Sequence, residues 1–395
     1  MFQTLSLFPP DAILSISTAF QKDTSPTKVD LGVGVYKDEN GKTPVPRAVR
    51  RAEQEILAEQ KTKAYLSPLG NAGFNTQVAE LTFGNNLLGR KTDLVLAQAP
   101  GGSGALRLGA ELIKAANPTV GIHVSDPTWA NHIPLLGNAG LKVDTYPYYS
   151  ANKHRVDLDK MLGALDGLSA GSVVLLHACC HNPTGQDLDA TQWALVAEVL
   201  ARRSLVPFMD MAYQGLGEDL DRDGNSLRII AKAVPEMLVA VSCSKNFGLY
   251  RERTGLLAVL SGNAEQATVN TSQLGRLART LWSMPPDHGA AIVDRVLSQA
   301  ELRQEWFSEL THMANRINSL RNVLADKLTL STNKDFSWIK TQRGMFSRLP
   351  LSNEQVVCLR EQHHIYMAPD GRINIAGVTP NNATYVAESV AMVCQ

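Results

Sequence analysis

The chain has 395 residues, 44% of them apolar, so it is long enough for a large hydrophobic core and for two domains. Lys plus Arg and Asp plus Glu each number 38, and the formal net charge is zero. This balance argues against nucleic acid or an anionic membrane as a partner.

Cysteine usage and the N-terminus indicate the compartment. The number of cysteines is odd and two of them are adjacent, which favours reduced thiols over a disulfide framework; they are Cys179, Cys180, Cys243, Cys358 and Cys394. The N-terminus lacks the basic region of a signal peptide, and no uninterrupted apolar stretch is long enough to span a bilayer. We therefore expect a soluble cytoplasmic protein without membrane contacts.

Apolar runs typical of buried strands recur through the first two thirds of the chain. Between most of them lie helical patterns, such as 105–116 and 191–203. Apolar strands that alternate with helices predict an α/β fold whose mostly parallel sheet is covered on both faces. The predicted strands are 94–96, 120–124, 173–176, 205–209, 238–241 and 256–260.

From about Asp287 the pattern changes to a long helical periodicity that reaches about Leu328. Shorter mixed elements follow, including 345–347 and 372–376. This order predicts a long connecting helix and a smaller α+β domain. We divide the chain into an N-terminal arm at 1–12, part of the small domain at 13–44, a large domain at 45–312 and the small C-terminal domain at 313–395.

Glycines follow the first predicted strand of the large domain. The stretch Gly101-Gly102-Ser103-Gly104 lies between the run 94–98 and a helix. Glycines let backbone amides approach an anion, and the helix N-terminus adds a partial positive charge. This stretch is a candidate phosphate cradle; a simple connecting turn is the alternative.

Aromatic and amide side chains follow the next two strands. Trp129 is placed to stack on a planar ring, although a core tryptophan is the alternative. The stretch from His177 to His181 holds two histidines and two cysteines, but their spacing is not that of zinc ligands, so we expect no metal. Asn182-Pro183, with Gly185, predicts a tight turn that presents the Asn182 amide to a crevice.

Asp210 and Lys245 come at the ends of the following strands. Asp210 ends the run 205–209, and it either caps a helix or holds a cation. Lys245 follows the run 238–241 at the carboxyl end of the sheet, the usual ligand position in an open α/β fold. A lysine held near a second cation, here Arg253, binds its proton less tightly, so its neutral amine can attack a carbonyl and form a Schiff base. A solvated surface charge is the alternative.

Together these groups are the complement of pyridoxal phosphate. The phosphate needs the glycine cradle and Arg253, and the aldehyde needs Lys245. The pyridine nitrogen needs a carboxylate such as Asp210, because the protonated ring is the stronger electron sink. The 3-oxygen needs hydrogen-bond donors such as Asn182 and Tyr213. The sequence therefore predicts a pyridoxal-phosphate site with Lys245, Asp210 and Tyr213 as its catalytic groups.

From 31–38 to 371–374 the sequence resembles the class I aminotransferases of the aspartate and aromatic amino acid group. The motifs most specific to this group are Cys180–Gly185, Asp210–Gly215 and Ser244–Tyr250. The resemblance implies the fold of type I pyridoxal-phosphate enzymes, with a mostly parallel seven-stranded sheet flanked by helices and a smaller α+β domain. It also implies a homodimer with shared active sites.

The resemblance further implies a role for each site residue. Lys245 would bind the cofactor covalently and then move a proton between substrate and cofactor. Asp210 would pair with the pyridine nitrogen, with His132 behind it, while Asn182 and Tyr213 would bind the 3-oxygen. The other cofactor-binding residues would be Trp129, Ser103, Gly104, Ser242, Ser244, Arg253 and, from the other subunit, Tyr65. The bonds before Pro127 and Pro183 would be cis.

Substrate recognition also follows from the resemblance. Arg372 would bind the α-carboxylate, and Arg279 would reach across the dimer interface to the side-chain carboxylate of a dicarboxylic substrate. Gly34, Trp129 and Asn182 would complete the substrate site.

The segment 281–284 is more apolar than aspartate enzymes usually carry, which favours an aromatic ring. We therefore expect phenylalanine, tyrosine and tryptophan, as well as aspartate and glutamate, to donate amino groups to 2-oxoglutarate by a ping-pong mechanism. The alternative is an aspartate aminotransferase.

Two other functions fit the sequence less well. A pyridoxal-phosphate lyase or decarboxylase would not need both Arg279 and Arg372, because a dicarboxylate partner is a requirement of transamination. A non-catalytic binding protein on the same fold would not need Lys245 and Asp210. The sequence therefore favours the aminotransferase.

Overall fold

The structure is a computed structural model and describes residues 1–7, 12–84 and 89–394. The predicted arm at 1–12 lies partly outside these ranges. Among the helices of the described residues, none combines the length and the apolar character needed to cross a bilayer.

A central sheet and three small two-stranded sheets contain all the strands of the described residues. In chain order the strands are β1 (Val29–Asp30), β2 (Leu94–Pro100), β3 (Gly121–Asp126), β4 (Lys142–Pro147), β5 (Tyr149–Ser150), β6 (Arg155–Val156), β7 (Val173–His177), β8 (Val206–Met211), β9 (Met237–Ser242), β10 (Thr254–Leu260), β11 (Phe346–Arg348), β12 (Ile365–Tyr366) and β13 (Arg372–Asn374).

The central sheet has seven strands in the order β2-β10-β9-β8-β7-β3-β4. All neighbouring pairs are parallel except those of β10, which is antiparallel to both β2 and β9. The prediction of a mostly parallel seven-stranded sheet is therefore confirmed. Because β10 is reversed, its first residue Thr254 pairs with Pro100, the last residue of β2. Arg253 thus lies at the edge where the other strands end.

The helices of the described residues either cover a face of this sheet or pack with the smaller sheets and with one another. In chain order they are α1 (Ala12–Lys22), α2 (Arg47–Glu59), α3 (Ala72–Phe83), α4 (Gly101–Ala116), α5 (His132–Gly137), α6 (Leu158–Asp166), α7 (Ala190–Arg202), α8 (Leu220–Asp223), α9 (Asn225–Ala233), α10 (Ala264–Trp282), α11 (Asp287–Ser298), α12 (Ala300–Thr332), α13 (Asn353–His363) and α14 (Ala383–Val393).

Alternate side chains of each strand enter two separate apolar clusters. In β9, Leu238 and Ala240 pack in the cluster that contains α4 and α10, while Val239 and Val241 pack in the cluster that contains α7 and α11. Successive side chains of a strand point to opposite faces, so a strand buried on both sides must be apolar throughout. This requirement explains the uninterrupted apolar runs of the sequence.

The 33-residue α12 connects the large sheet to the elements that follow it. It packs on α2, α11 and α14. The long connecting helix is therefore present, and the predicted domain boundary at 312–313 falls inside it. Beyond it, β1 pairs with β12 and β11 pairs with β13, so N-terminal residues join the C-terminal elements.

Two glycines inside helices allow a test of how tightly α4 packs on the sheet. A Cβ at Gly109 of α4 would lie 2.4 Å from the Phe208 ring of β8, whereas a Cβ at Gly163 of α6 would meet nothing within 4 Å. We expect Gly109→Ala to destabilise the fold by about 1–3 kcal/mol through overpacking. Gly163→Ala should stabilise it by about 0.5–1 kcal/mol, because glycine is the poorer helix former. Urea unfolding of both variants measures this, and changes of the same sign would contradict the packing argument.

Candidate active site

The carboxyl ends of β2, β3, β7, β8 and β9 bring the predicted residues to one edge of the central sheet. Asp210 in β8 stands opposite His177 in β7 and Ala240 in β9. Both peptide bonds that the resemblance implies to be cis, Asp126-Pro127 and Asn182-Pro183, are cis. The crevice at this edge is the candidate active site.

Lys245 lies in the loop that leaves β9. Its Nζ is 4.7 Å from the centre of the Tyr213 ring. Trp306 of α12 holds this loop in two ways. Its Nε1 donates to the Asn246 carbonyl at 2.8 Å, and its ring stacks on the Phe247 ring with 4.4 Å between the ring centres. The position of Lys245 therefore depends on the long helix as well as on the strand.

The electrostatic surroundings of Lys245 make its amine a better nucleophile. Burial, together with the Arg253 cation, lowers its pKa to about 8, although the Asp210 carboxylate opposes the shift. Near pH 8 about half of the amine is then neutral, compared with less than about 1% for an ordinary lysine. The side chain can act as a nucleophile or as a base under mild conditions.

Asp210 is buried and forms the end of a hydrogen-bonded chain. Its Oδ2 is 3.0 Å from His132 Nε2; His132 Nδ1 is 2.7 Å from Thr128 Oγ1, which is 3.1 Å from His177 Nε2. Burial alone would raise the pKa of Asp210, but the hydrogen bond and charge of His132, with further charges nearby, outweigh it, and the pKa is lowered. The carboxylate is therefore ionised although it is buried.

The protonation of this chain follows from its two ends. Burial lowers the pKa of His177 to about 3, so this ring is neutral at physiological pH. With Asp210 ionised, His132 Nε2 donates to it, and the Thr128 hydroxyl lies within hydrogen-bond distance of both His132 Nδ1 and His177 Nε2. Each group has the partner that it needs, so the chain can hold a buried negative charge in place.

The candidate anion cradle lies between α4 and the start of β10. A Cβ at Gly101, where φ is +71°, would lie 2.5 Å from Arg253 Nη2, and one at Gly102 would lie 3.0 Å from Ser242 Cβ. Arg253 Nη1 donates to Ser244 Oγ at 3.4 Å. Only glycine allows the guanidinium this close to the backbone. The predicted cradle residues Ser103 and Gly104 lie in the first turn of α4, beside these groups.

Arg372 is buried and faces the crevice from β13. Its Nη1 donates to Asn182 Oδ1 at 3.4 Å and its Nη2 to the Gly32 carbonyl at 2.8 Å. The guanidinium carbon is 4.5 Å from the centre of the Phe346 ring. Gly34 lies against the same ring, because a Cβ there would be 2.8 Å from Phe346 Cζ. The strand pair β11–β13 therefore holds the arginine beside Asn182 and Gly34.

The remaining predicted residues occupy different surroundings. Trp129 packs edge-on against His132, with ring centres 5.2 Å apart. Tyr65 is 89% exposed, and Arg279 is exposed at the end of α10, where it hydrogen-bonds Ser283. A single chain thus buries neither Tyr65 nor Arg279.

Among the described residues, two cysteines of the stretch from His177 to His181 lie close to an aspartate and together form a possible group of metal ligands. One ligand atom each of Cys179, Cys180 and Asp223 lies within 4.8 Å of the others. Burial raises the pKa of Cys180 to about 12, and the Asp223 oxygens already accept three backbone N–H groups. Metal ligation requires thiolates and free lone pairs, so these contacts oppose it.

Several residues that shape the site were not among those predicted. Thr128 lies in the loop between β3 and α5 (His132–Gly137), so no helical spacing in the sequence linked it to His132. His177 was considered only as a metal ligand. Phe346 and Trp306 read as ordinary core residues, and only the tertiary structure reveals that they contact Arg372 and the Lys245 loop.

The chain is similar to known aminotransferases over its whole length. The family described as Aminotransferase class I and II matches residues 26–390. The aromatic-amino-acid aminotransferase of Pseudomonas aeruginosa is 45% identical over 100% of this chain and 99% of its own length, and the aspartate aminotransferase of Haemophilus influenzae is 42% identical over 100% of both. The crystal structure of the aromatic-amino-acid aminotransferase from Burkholderia pseudomallei, covalently bound to pyridoxal phosphate, is 44% identical and covers both chains completely, with a TM-score of 0.97.

The lowered pKa of Lys245 can be measured in the chain without ligands. Competitive labelling with acetic anhydride should give a midpoint near pH 8 for Lys245, with exposed Lys142 as the internal reference for reagent loss. Arg253→Met should raise the midpoint, because it removes a cation, and Asp210→Asn should lower it, because it removes an anion. A midpoint above pH 10 in the unaltered chain, or shifts of the opposite sign, would refute this account of the site.

Proposed function

This chain belongs to the class I and II aminotransferase family, and we propose that it transfers the amino groups of phenylalanine, tyrosine and tryptophan, and also of aspartate and glutamate, to 2-oxoglutarate. It is a pyridoxal-phosphate-dependent aminotransferase. The observation that carries the proposal is a lysine amine of lowered pKa placed between an ionised buried carboxylate and an anion cradle.

The residues of the crevice fit pyridoxal phosphate. The cradle offers a phosphate the Arg253 guanidinium, the hydroxyls of Ser242 and Ser244 and the amides at the start of the 16-residue α4. Because Gly101 carries no side chain, the backbone at the start of α4 can lie directly against the Arg253 guanidinium. When bound, the cofactor supplies an aldehyde that accepts the amino group and a protonated ring that withdraws electrons from the bonds of the substrate α-carbon.

We assign the chemistry of this site to three residues. Asp210 keeps a proton on the ring nitrogen, because two opposite charges about 4 Å apart attract by about 4 kcal/mol, roughly three pKa units, at an effective dielectric constant of 20. Tyr213 donates a hydrogen bond to the 3-oxygen, since burial raises its pKa and keeps the phenol protonated. Lys245 holds the cofactor and then carries a proton to and from the substrate carbon.

The two arginines account for substrate binding in this proposal. Arg372, beside Asn182, offers the planar pair of donors that a carboxylate binds bidentately, so we assign it the α-carboxylate. We assign the second carboxylate of aspartate, glutamate or 2-oxoglutarate to Arg279 of a second subunit. Water is excluded from the Arg372 side of the crevice by the Phe346 ring, which strengthens the charge pairing there.

We propose that the active unit is a homodimer with shared sites. Tyr65 and Arg279 are polar groups of the site that one chain leaves exposed. The N-terminal residues are also apolar and exposed: Met1 is 97%, Phe2 75%, Leu5 75% and Leu7 97% accessible. Such residues are typical of a surface that another protein chain covers.

A preference for aromatic donors is supported by the end of α10. Arg279 is followed by the partly buried Leu281 and Trp282, and by Met284, so the cation stands among apolar groups. An apolar surface binds a phenyl ring at little cost, and a flexible arginine can move away from it. The second candidate is an aspartate aminotransferase, which the Haemophilus influenzae relative favours.

We also propose that the protein works in the cytoplasm. All five cysteines are free, and three of them are buried. Unpaired buried thiols are typical of reducing compartments.

Replacing Arg279 should separate the two substrate classes. In Arg279→Leu, kcat/KM for aspartate should fall at least about thirtyfold, because the lost charge pair is worth about 2 kcal/mol or more. The value for phenylalanine should change little, since its ring needs no cation. A panel of donors measures this, and Arg276→Leu on the same helix is the matched control. A preference of more than about a hundredfold for aspartate in the unaltered enzyme, or about 3 kcal/mol, would favour the second candidate.

Replacing Lys245 should abolish turnover without disturbing assembly. In Lys245→Ala the proton carrier is absent, and the rate should fall by at least about a hundredfold to ten-thousandfold. Light scattering should give the same mass as for the unaltered protein. Substantial remaining transamination would overturn the assignment, and a monomeric unaltered protein would overturn the dimer.

A further inference from the structure

We propose that Gln98 is a positioning residue for the active site of the partner subunit. Gln98 lies in β2, and its side-chain amide joins the segment that follows Tyr65 to the segment that follows Arg279. The inference rests on the shared homodimer proposed above and adds to it the element that sets the position of the donated groups.

The side chain of Gln98 is fully buried and joins two distant parts of the chain. Its Oε1 accepts from the Asn71 N–H at 2.8 Å, and its Nε2 donates to the Pro286 carbonyl at 2.7 Å. Its backbone N–H also donates to the Leu69 carbonyl at 3.0 Å. One amide therefore connects the segment that follows Tyr65 with the segment that follows Arg279.

Further contacts make the two segments one unit. Met284 Sδ accepts from the Leu66 N–H at 3.2 Å, and Asn71 Nδ2 donates to Asp287 Oδ1 at 3.1 Å. A Cβ at Gly70, where φ is +82°, would lie 2.4 Å from both Cβ and Oε1 of Gln98. Residues 69–71 thus contact Gln98 directly, so a change in this side chain reaches the segment that follows Tyr65 without an intermediate.

The end of α10 needs such support, because its backbone is strained. Ser283 has φ 67° and ψ −63°, and the Met284 N–H donates to the Trp282 carbonyl at 2.7 Å, which together form a γ-turn of the rare, strained kind. Strained residues persist only where the surroundings hold them. Gln98 binds the Pro286 carbonyl three residues after this turn, and Arg279, which hydrogen-bonds Ser283, lies four residues before it.

The position of Gln98 in β2 also links the two active sites of a dimer. Three residues after Gln98 the same chain reaches Gly101 of its own anion cradle. Strand β2 therefore leads directly into the cradle of its own subunit, and through Gln98 it also supports the segments that the subunit would donate to its partner. Loss of the Gln98 amide should leave the cradle on the ladder between β2 and β10 but release the donated segments.

The experiment uses hybrid dimers in which only one active site works. Two chains carry different affinity tags, and doubly tagged dimers are purified and loaded with pyridoxal phosphate. In hybrid A, one chain is Lys245→Ala with Gln98→Met and the other is unaltered, so the working site receives Tyr65 and Arg279 from the altered chain. In hybrid B, Gln98→Met and Lys245→Ala lie on different chains, so the working site receives them from a chain with Gln98 intact.

The readout is the half-reaction with aspartate alone, followed by the absorbance of the bound cofactor. We expect the apparent affinity for aspartate to fall about tenfold or more in hybrid A and to change less than about twofold in hybrid B, because a displacement near 1 Å suffices for losses of up to about a hundredfold. If Gln98→Met instead only damaged the structure of its own chain, the loss would appear in hybrid B, where the substitution lies on the chain that bears Lys245. Equal losses in the two hybrids, or a loss only in hybrid B, would overturn the role of Gln98.

Two controls separate this inference from the proposed function. A hybrid of Lys245→Ala with Arg279→Ala must react with aspartate, since each chain supplies what the other lacks; if it does not, the shared site itself is wrong. Gln214→Met removes a second buried glutamine, which donates to the Leu81 and Leu220 carbonyls. When it takes the place of Gln98→Met in hybrid A, the apparent affinity for aspartate should stay the same as without a glutamine substitution. If Gln98→Met does not fold, Gln98→Glu, which keeps the acceptor but not the donor, takes its place with the same expected ordering of the hybrids.

Discussion

The ionised carboxylate of Asp210 is the feature on which the rest of the site depends. A buried carboxylate ordinarily takes up a proton, and this one avoids it because His132 hydrogen-bonds it and is itself aligned through Thr128 and the neutral His177. The negative charge then allows a cation to exist in the crevice. It also limits how far burial and Arg253 depress the pKa of Lys245, which settles near 8 rather than lower.

The fold supplies the geometry that these charges require. One antiparallel strand, β10, brings Arg253 to the edge where the parallel strands end, which completes the cradle. The long helix α12 supports both halves of the site: Trp306 holds the loop of Lys245, and the buried Arg321 donates to the Phe346 carbonyl at 3.0 Å beneath the ring that faces Arg372. A shift of this helix would therefore move Lys245 and Arg372 together.

The proposed second subunit would give the site a division of labour. In that dimer the groups that act on the reacting atoms would belong to one chain, whereas Tyr65 and Arg279, which are exposed there, are proposed to serve the other. Arg279 lies beside a strained turn and Tyr65 in an exposed segment, and we infer that the buried Gln98 keeps both segments in position. Substrate preference would then depend partly on packing inside the donating subunit, at some distance from the substrate.

The sequence by itself determined the α/β class and the positions along the chain of the strands that end at the site. Buried parallel strands must be apolar throughout, so the polar residues that follow them stand out. It also indicated Lys245, Asp210, Asn182 and Arg253 by their place after those strands, and the resemblance added Arg372, Arg279 and Tyr65. Only the tertiary structure decided that β10 is reversed, that His177 and Thr128 stand behind Asp210, and that Gln98 joins residues near 70 and 286. These facts arise from contacts between residues far apart in the chain, and local patterns of hydrophobicity carry no information about which distant polar groups will meet.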